Sequence, residues 1–206
     1  MLAIREHRFP FLKKVGDWNR FSRNTGGTMV EKCCHFFDLM RLIVQARPVR
    51  VYCSGAMDVN HLDERYDGQV PDILDNSYTV VDFDNGVRAM LDLCMFAEGS
   101  RNQEEIAAVG DTGKLEVFIP DGDIVFSPRK PKKPERTHIA VDEVALRAGH
   151  HHGATYFQHQ AFLKAVRGQG PIEVGAEDGY WAVVMGLAAE ISAKEKRAVL
   201  LADLVD

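Results

Sequence analysis

The stretch SYTVVDFDNGVRAMLDL, residues 77–93, constrains the fold more than any other. On both sides of DNG, apolar and polar residues alternate with period two, the repeat of a strand that buries one face. Asn85 and Gly86 tolerate the positive φ angles that a two-residue hairpin turn requires. The pattern continues on both sides. PVRVYCSGAM alternates Val49, Val51 and Cys53 against Arg50, Tyr52 and Ser54, while EEIAAVG, GKLEVFIP and DIVFSP follow through turns at DTG and DG. Strands joined by turns this short pair antiparallel with their neighbours in sequence, so a meander is predicted. THIAVDEV offers one more strand, ALRAGHHHG reads as a loop, and RAVLLADL closes the chain as a last strand.

Helical spacing flanks this region. Thr28 to about Ala46 forms a first helix, ended by Pro48, which disfavours helix in the residue before it. Tyr156–Val166 and Glu177–Lys194 form two late helices. Helix, strands, then helices is an α+β order: an open, mostly antiparallel β-sheet with helices on one face. The 206 residues, 46% of them apolar, can bury the core of one domain spanning 1–206. Asp58 to Asn76 is an acidic loop, long for a plain connector, which suggests a lid or binding loop.

Charge and composition exclude several classes of function. A formal charge of −5 disfavours a nucleic-acid or anionic-membrane surface. The basic run RKPKKPER at 129–136 carries two prolines and reads as a solvated loop. The N-terminal MLAIREHRFPFLKK has charges throughout and lacks the apolar stretch of a signal peptide, and no run approaches the ~20 apolar residues of a membrane span. Cys33, Cys34, Cys53 and Cys94 show no C-x-x-C spacing and read as reduced thiols, so the expected compartment is the cytoplasm.

The first helix holds the candidate chemistry. At 100° per residue Met29, Cys33, Phe36, Phe37, Met40, Ile43 and Val44 share one arc, and Glu31, His35 and Asp38 the opposite one. A carboxylate beside a histidine can fix its tautomer and raise its pKa, as a general acid or base requires. The same row also fits a solvated helix face, and Thr28-x-x-Glu31 fits a capping box in which Glu31 is structural. With His61, His150, His151, His152 and His159, the row could build a divalent-metal site for a hydrolase or isomerase. The spacing matches no metal motif, and His159, on a face with Phe162, Leu163 and Val166, reads as a core histidine.

Trp18, the Gly26–Gly27 pair and TMVEKCCHFFD (28–38) resemble the stretch G-G-x-x-x-D-x-x-x-H-x-x-D in the C-terminal domain of the Gfo/Idh/MocA oxidoreductases. The hairpin, IAAVGDTGKLEV and FLKAVRGQGPIEVGAEDGYWAVVMGLAAEISAKEKRAVLLADL are similar to the same domain in the same order. The resemblance implies that His35 relays the proton of a substrate hydroxyl and that Glu31, one methylene longer than the family's aspartate, orients it. It implies further that Asp38 supports the site or touches substrate hydroxyls, and that Trp18, Arg20, Asn24 and His152 are candidate substrate contacts.

The resemblance also implies NAD or NADP as cofactor of the complete enzyme, a sugar, cyclitol or other polyol as substrate, and a homo-oligomer packed through the sheet face. No G-x-G-x-x-G occurs, since GQGPIE at 168–173 lacks the third glycine and follows a helix. The chain is therefore expected to lack the nucleotide-binding domain, to hold neither cofactor nor metal, and not to turn over alone. The family's lysine, in an E-K-P segment, is not carried onto Lys32: Cys33 replaces the proline, and Lys32 points off the Glu31–His35 row. A catalytically silent binding or assembly module with the same fold is the competing expectation.

Overall fold

A computed structural model of the chain describes residues 1–149 and 151–205. Strand β1 (Leu2–His7) leads into a 3₁₀ segment, Val15–Arg20, and the short helices α1 (Ser22–Thr25) and α2 (Thr28–Glu31). Helix α3 (Cys34–Val44) precedes β2 (Pro48–Ala56), β3 (Asn76–Phe83), β4 (Arg88–Cys94), β5 (Glu104–Val109), β6 (Gly113–Ile119), β7 (Asp123–Pro128) and β8 (Glu135–His138). Helices α4 (Glu143–Arg147), α5 (Ala154–Val166) and α6 (Ala176–Glu195) and the two-residue β9 (Val199–Leu200) complete the order.

The nine strands form one sheet in the order β8-β7-β6-β5-β1-β4-β3-β2-β9. All neighbours pair antiparallel except β1 and β4, which run parallel. Thus β1 stitches two meanders together, one made of β5 to β8 and the other of β2 to β4 with β9. The α+β reading holds: the sheet is open and mostly antiparallel, and helices cover one face. On that face Ile4, Val51, Val81 and Leu91 are fully buried against Met29, Phe37 and Met40 and against Met185, Ala188 and Ala189 of α6. The opposite face leaves Tyr52, Tyr78, Val80 and Met90 exposed, between ion pairs such as Arg50–Asp82 and His7–Asp92.

Several local expectations are corrected. The charged N-terminal segment, for which the sequence alone predicts no element, is a central strand, because Leu2 and Ile4 alternate inward and pair across β4 and β5. The segment 137–144 is strand only to His138. ALRAGHHHG is partly helix α4, started by Asp142, whose carboxylate accepts the amides of Val144 and Ala145 at 2.7 and 3.3 Å. RAVLLADL gives two strand residues and then a 3₁₀ turn. His159 and its neighbours Phe162, Leu163 and Val166 are exposed, so His159 is no core histidine.

The acidic loop is pinned rather than free. Asp75 accepts the amides of Asp58, Val59 and Asn60 at 3.0, 2.9 and 2.7 Å. Glu64 binds Arg20, Tyr66 and His61. Burial opposes the Glu64 charge, but those three partners outweigh it and hold the carboxyl down to about 2.

The first predicted helix is two helices with a slip between them. The amides of both Lys32 and Cys33 bond to the Thr28 carbonyl, at 2.9 and 3.2 Å, and the amides of Phe36 and Phe37 both bond to the Cys33 carbonyl. The Cys33 bond reaches back five residues, the mark of a π-type bulge, a feature common at functional sites. The neighbouring helix α6 sets the position of α2: Gly186 lets it approach so closely that a Cβ there would lie 2.7 Å from the Met29 carbonyl oxygen.

Candidate active site

The slip between α2 and α3 faces a cavity of about 900 Å³. Its floor is the start of β5 at Glu104 and the end of β6 at Val117–Pro120; Arg8, Phe11, Leu12 and Lys14 form a second side, and His151, His152 and Phe157 a third. Glu31, Lys32 and His35 all line it. Lys32 thus faces the same space as Glu31 and His35, contrary to the expectation that it points off their row. The slip and the length of its side chain bring the Lys32 ammonium to 2.8 Å from Glu6 on β1 and 5.7 Å from the Phe36 ring centre.

His35 is open to solvent along the cavity, while protein crowds its other sides. Its ring lies 4.2 Å, centre to centre, from that of Phe36. Burial, and after it the positive neighbours Lys32, His151 and Arg8, push the imidazole well below its ordinary value. Solvent on the open side tempers that push. The ring is therefore neutral at physiological pH, with a nitrogen lone pair able to accept a proton.

Glu31 lies 3.6 Å from the Lys14 ammonium, and Lys14 in turn lies 5.7 Å from the Trp18 ring. The capping-box alternative for Glu31 is overturned. Helix α2 is capped at Gly27 without a side-chain bond, and the Thr28 hydroxyl instead donates to the Leu74 carbonyl at 2.7 Å. The cap comes from α6, where Glu190 accepts the Met29 amide at 2.9 Å.

The other sequence candidates fall at different depths. His152, at a positive φ of 52°, lines the cavity. Trp18 stands behind Lys14, and Asn24 braces it by donating to the Trp18 carbonyl at 2.9 Å. Arg20 is buried, donating to Glu64 at 2.7 Å and to the Phe11 carbonyl, so it ties the acidic loop to the cavity wall from behind. Asp38 faces the start of α6, where burial and then Asp178 raise its carboxyl while Arg41 lowers it. Asp38, Trp18, Arg20 and Asn24 are not lining residues.

Sequence reasoning missed Arg8, Lys14 and Glu104 and set Lys32 aside, although all four line the cavity. Among the described residues no group of three or more His, Cys, Asp or Glu is placed to hold a metal ion, and His150 lies outside them. No helix among them is long and apolar enough to cross a membrane. No glycine-rich turn joins a strand to a helix among them either.

Comparison with known proteins agrees with this architecture. Residues 1–201 match the model of the oxidoreductase family's C-terminal alpha/beta domain. Over 193 residues the chain is 28% identical to myo-inositol 2-dehydrogenase of Thermotoga maritima, covering 90% of this chain and 52% of that protein. The chain thus spans about half the length of its curated relative. An oxidoreductase domain protein from Kribbella flavida superposes with a TM-score of 0.74 at 18% identity, covering 97% of this chain and 58% of that one. An oxidoreductase from Agrobacterium radiobacter, solved with NAD+, L-tartaric acid and magnesium, gives 0.72 at 13% identity over 99% and 57%. With an extended family match, a shared fold and the same order of segments, the chain belongs to the Gfo/Idh/MocA oxidoreductases through their C-terminal α/β domain.

Proposed function

We propose that this chain is the substrate-binding and association half of an NAD(P)-dependent oxidoreductase acting on a sugar, cyclitol or related polyol. One observation carries the reading: His35 and Glu31, the family's histidine and acid positions, share one wall of a cavity large enough for a monosaccharide. Oxidising a secondary alcohol requires a base for the hydroxyl proton. A neutral His35 ring at the open surface of the cavity supplies it, accepting that proton as the carbinol carbon gives up its hydride. Glu31, held near Lys14, lines the same cavity and places a carboxylate there to accept from a substrate hydroxyl.

NAD or NADP supplies the hydride chemistry when bound. We assign its binding to a nucleotide-binding domain of the complete enzyme, a reading the family resemblance supports. The curated relative's name, myo-inositol 2-dehydrogenase, supports a cyclitol-like substrate. The apolar stripe of Tyr52, Tyr78, Val80 and Met90 supports association through the open sheet face, since exposed apolar surface of this kind marks an interface. No feature calls for a nucleic-acid or membrane partner, and the expected site of action is the cytoplasm.

The test joins the chain to a nucleotide-binding domain of the family and measures NAD(P)+ reduction with a panel of polyols. Oxidation that falls roughly 10²- to 10⁴-fold in His35→Ala supports the reading. Absence of turnover with every polyol, together with a stable oligomer, supports the silent assembly module instead.

A further inference from the structure

Strand β1 turns Leu2, Ile4 and Glu6 to the buried side, so a carboxylate occupies a place suited to a third apolar residue. Its Oε1 accepts from Lys32 at 2.8 Å and from Arg8 at 3.1 Å. Its Oε2 has no partner among the described residues, nor does the Arg8 Nε. Burying a charge is costly, and an unmade hydrogen bond adds to the cost. A core built for stability alone would be better served by leucine at this position.

The neighbours show where this group acts. In the β1–β5 register Glu6 stands directly opposite Glu104. Glu104, Lys32 and Arg8 all line the cavity that also holds His35. Burial first, and then the Glu6 charge, raises the Glu104 carboxyl. Lys32 has three N–H donors, and Glu6 engages one. The cavity therefore presents, beside the His35 wall, a fixed ammonium next to a carboxyl group, braced from below by a buried counter-charge.

We propose that Lys32 and Glu104, backed by Glu6, form a second wall of the binding site that holds two adjacent hydroxyls of a neutral polyol. Lys32 donates to the oxygen of one hydroxyl, Glu104 accepts from the next, and the reacting hydroxyl is left to His35. Glu6 is a positioning residue, fixing the lysine from below. Because Glu6 and Glu104 together match the two charges of Lys32 and Arg8, the wall offers directed hydrogen bonds rather than net positive charge. It favours neutral polyols over sugar acids of the same size. The proposal rests on the polyol reading above.

Calorimetric titration of the chain tests it, with myo-inositol, glucose and glucuronate as probes and thermal melting as the check on folding. Saturable binding of a neutral polyol, weakened roughly tenfold in Lys32→Met and in Glu104→Gln and retained in Lys32→Arg, supports the wall. Glu6→Gln, which keeps shape but removes the charge, weakens binding without touching the ligand. Tighter binding of glucuronate than of both neutral probes overturns the proposal. So do variants that melt and bind like wild type, and in that case the polyol reading survives. Failure of the wild type to bind any probe overturns the wall, while the turnover assay with the joined nucleotide-binding domain decides the polyol reading separately.

Discussion

Glu190, three-quarters of the way along α6, accepts a hydrogen bond from the backbone amide of Met29 at 2.9 Å and so caps a helix 161 residues earlier in the chain. Gly27, at a φ of +90°, leaves room for it: a Cβ there would lie 2.3 Å from the Glu190 carboxyl carbon. Gly27→Ala combines that overlap with left-handed strain and should destabilise the fold by roughly 2 kcal/mol or more. Denaturant unfolding measures the loss. In the double mutant with Glu190→Ala, part of the loss should disappear, because the overlapping group is gone while the strain remains.

The same carboxylate gives a pH signature. Burial raises Glu190 from an ordinary 4.5 to about 7 against the opposing pull of the Met29 amide. The folded state then holds this proton more tightly than the unfolded chain. Stability from this group is full below about pH 4.5 and declines as pH rises toward 7, by at most about 3 kcal/mol. Melting curves across that range should show the decline, and Glu190→Gln, which keeps a carbonyl acceptor for Met29, should flatten it. An unchanged slope in the variant would sink this assignment.

What the sequence made legible follows from how local the causes are. The DNG hairpin and the strands around it were readable because period-two burial and turn chemistry act within about ten residues. Helix α6 was readable for the same reason. Strand β1 was not, because Glu6 interrupts its apolar alternation and its partners on β4 and β5 lie some 85 to 105 residues away. The slip at Lys32 and Cys33 was equally hidden. Nothing in VEKCCH disfavours a continuous helix, and the contacts that position α2, Gly186 and Glu190, sit on α6. His35 and Glu31 could be named from a motif, whereas Lys32, Glu104 and Arg8 meet only after the sheet has closed.

Arg20, a sequence candidate for substrate contact, is instead placed to hold the loop. Its guanidinium is buried and reaches Glu64 and the Phe11 carbonyl, and Glu64 also gathers His61 and Tyr66. Arg20→Ala should therefore cost about 2 kcal/mol of stability, less than a fully buried pair because Glu64 is partly open to water. Hydrogen exchange should speed up across residues 58–74 while the amides of β3 and β4 stay protected. Acid should loosen the same loop. Glu64 is held at about 2, so its contribution is present above its ordinary 4.5 and is lost as pH falls toward 2. Equal exchange in wild type and variant would return Arg20 to the list of candidate substrate contacts.

His35 gives the most direct reading of the site's electrostatics. Burial, Lys32, His151 and Arg8 all act against its protonated form, so the folded ring should titrate well below 6.5. The unfolded chain then binds more protons, and stability from this residue is lost as pH falls below 6.5 toward the folded value. Burial and those charges lower the ring to about 3, so ring carbon-bound proton shifts followed by NMR from pH 8 downward should show it still neutral at about pH 5, without turnover or cofactor. Lys32→Met should move the His35 midpoint upward and Lys32→Arg should leave it low, since the charge rather than the amine is what acts on the ring. A wild-type midpoint at or above 6.5 would mean that solvent in the cavity screens those neighbours fully, and His35 would then enter the reaction as an ordinary surface imidazole.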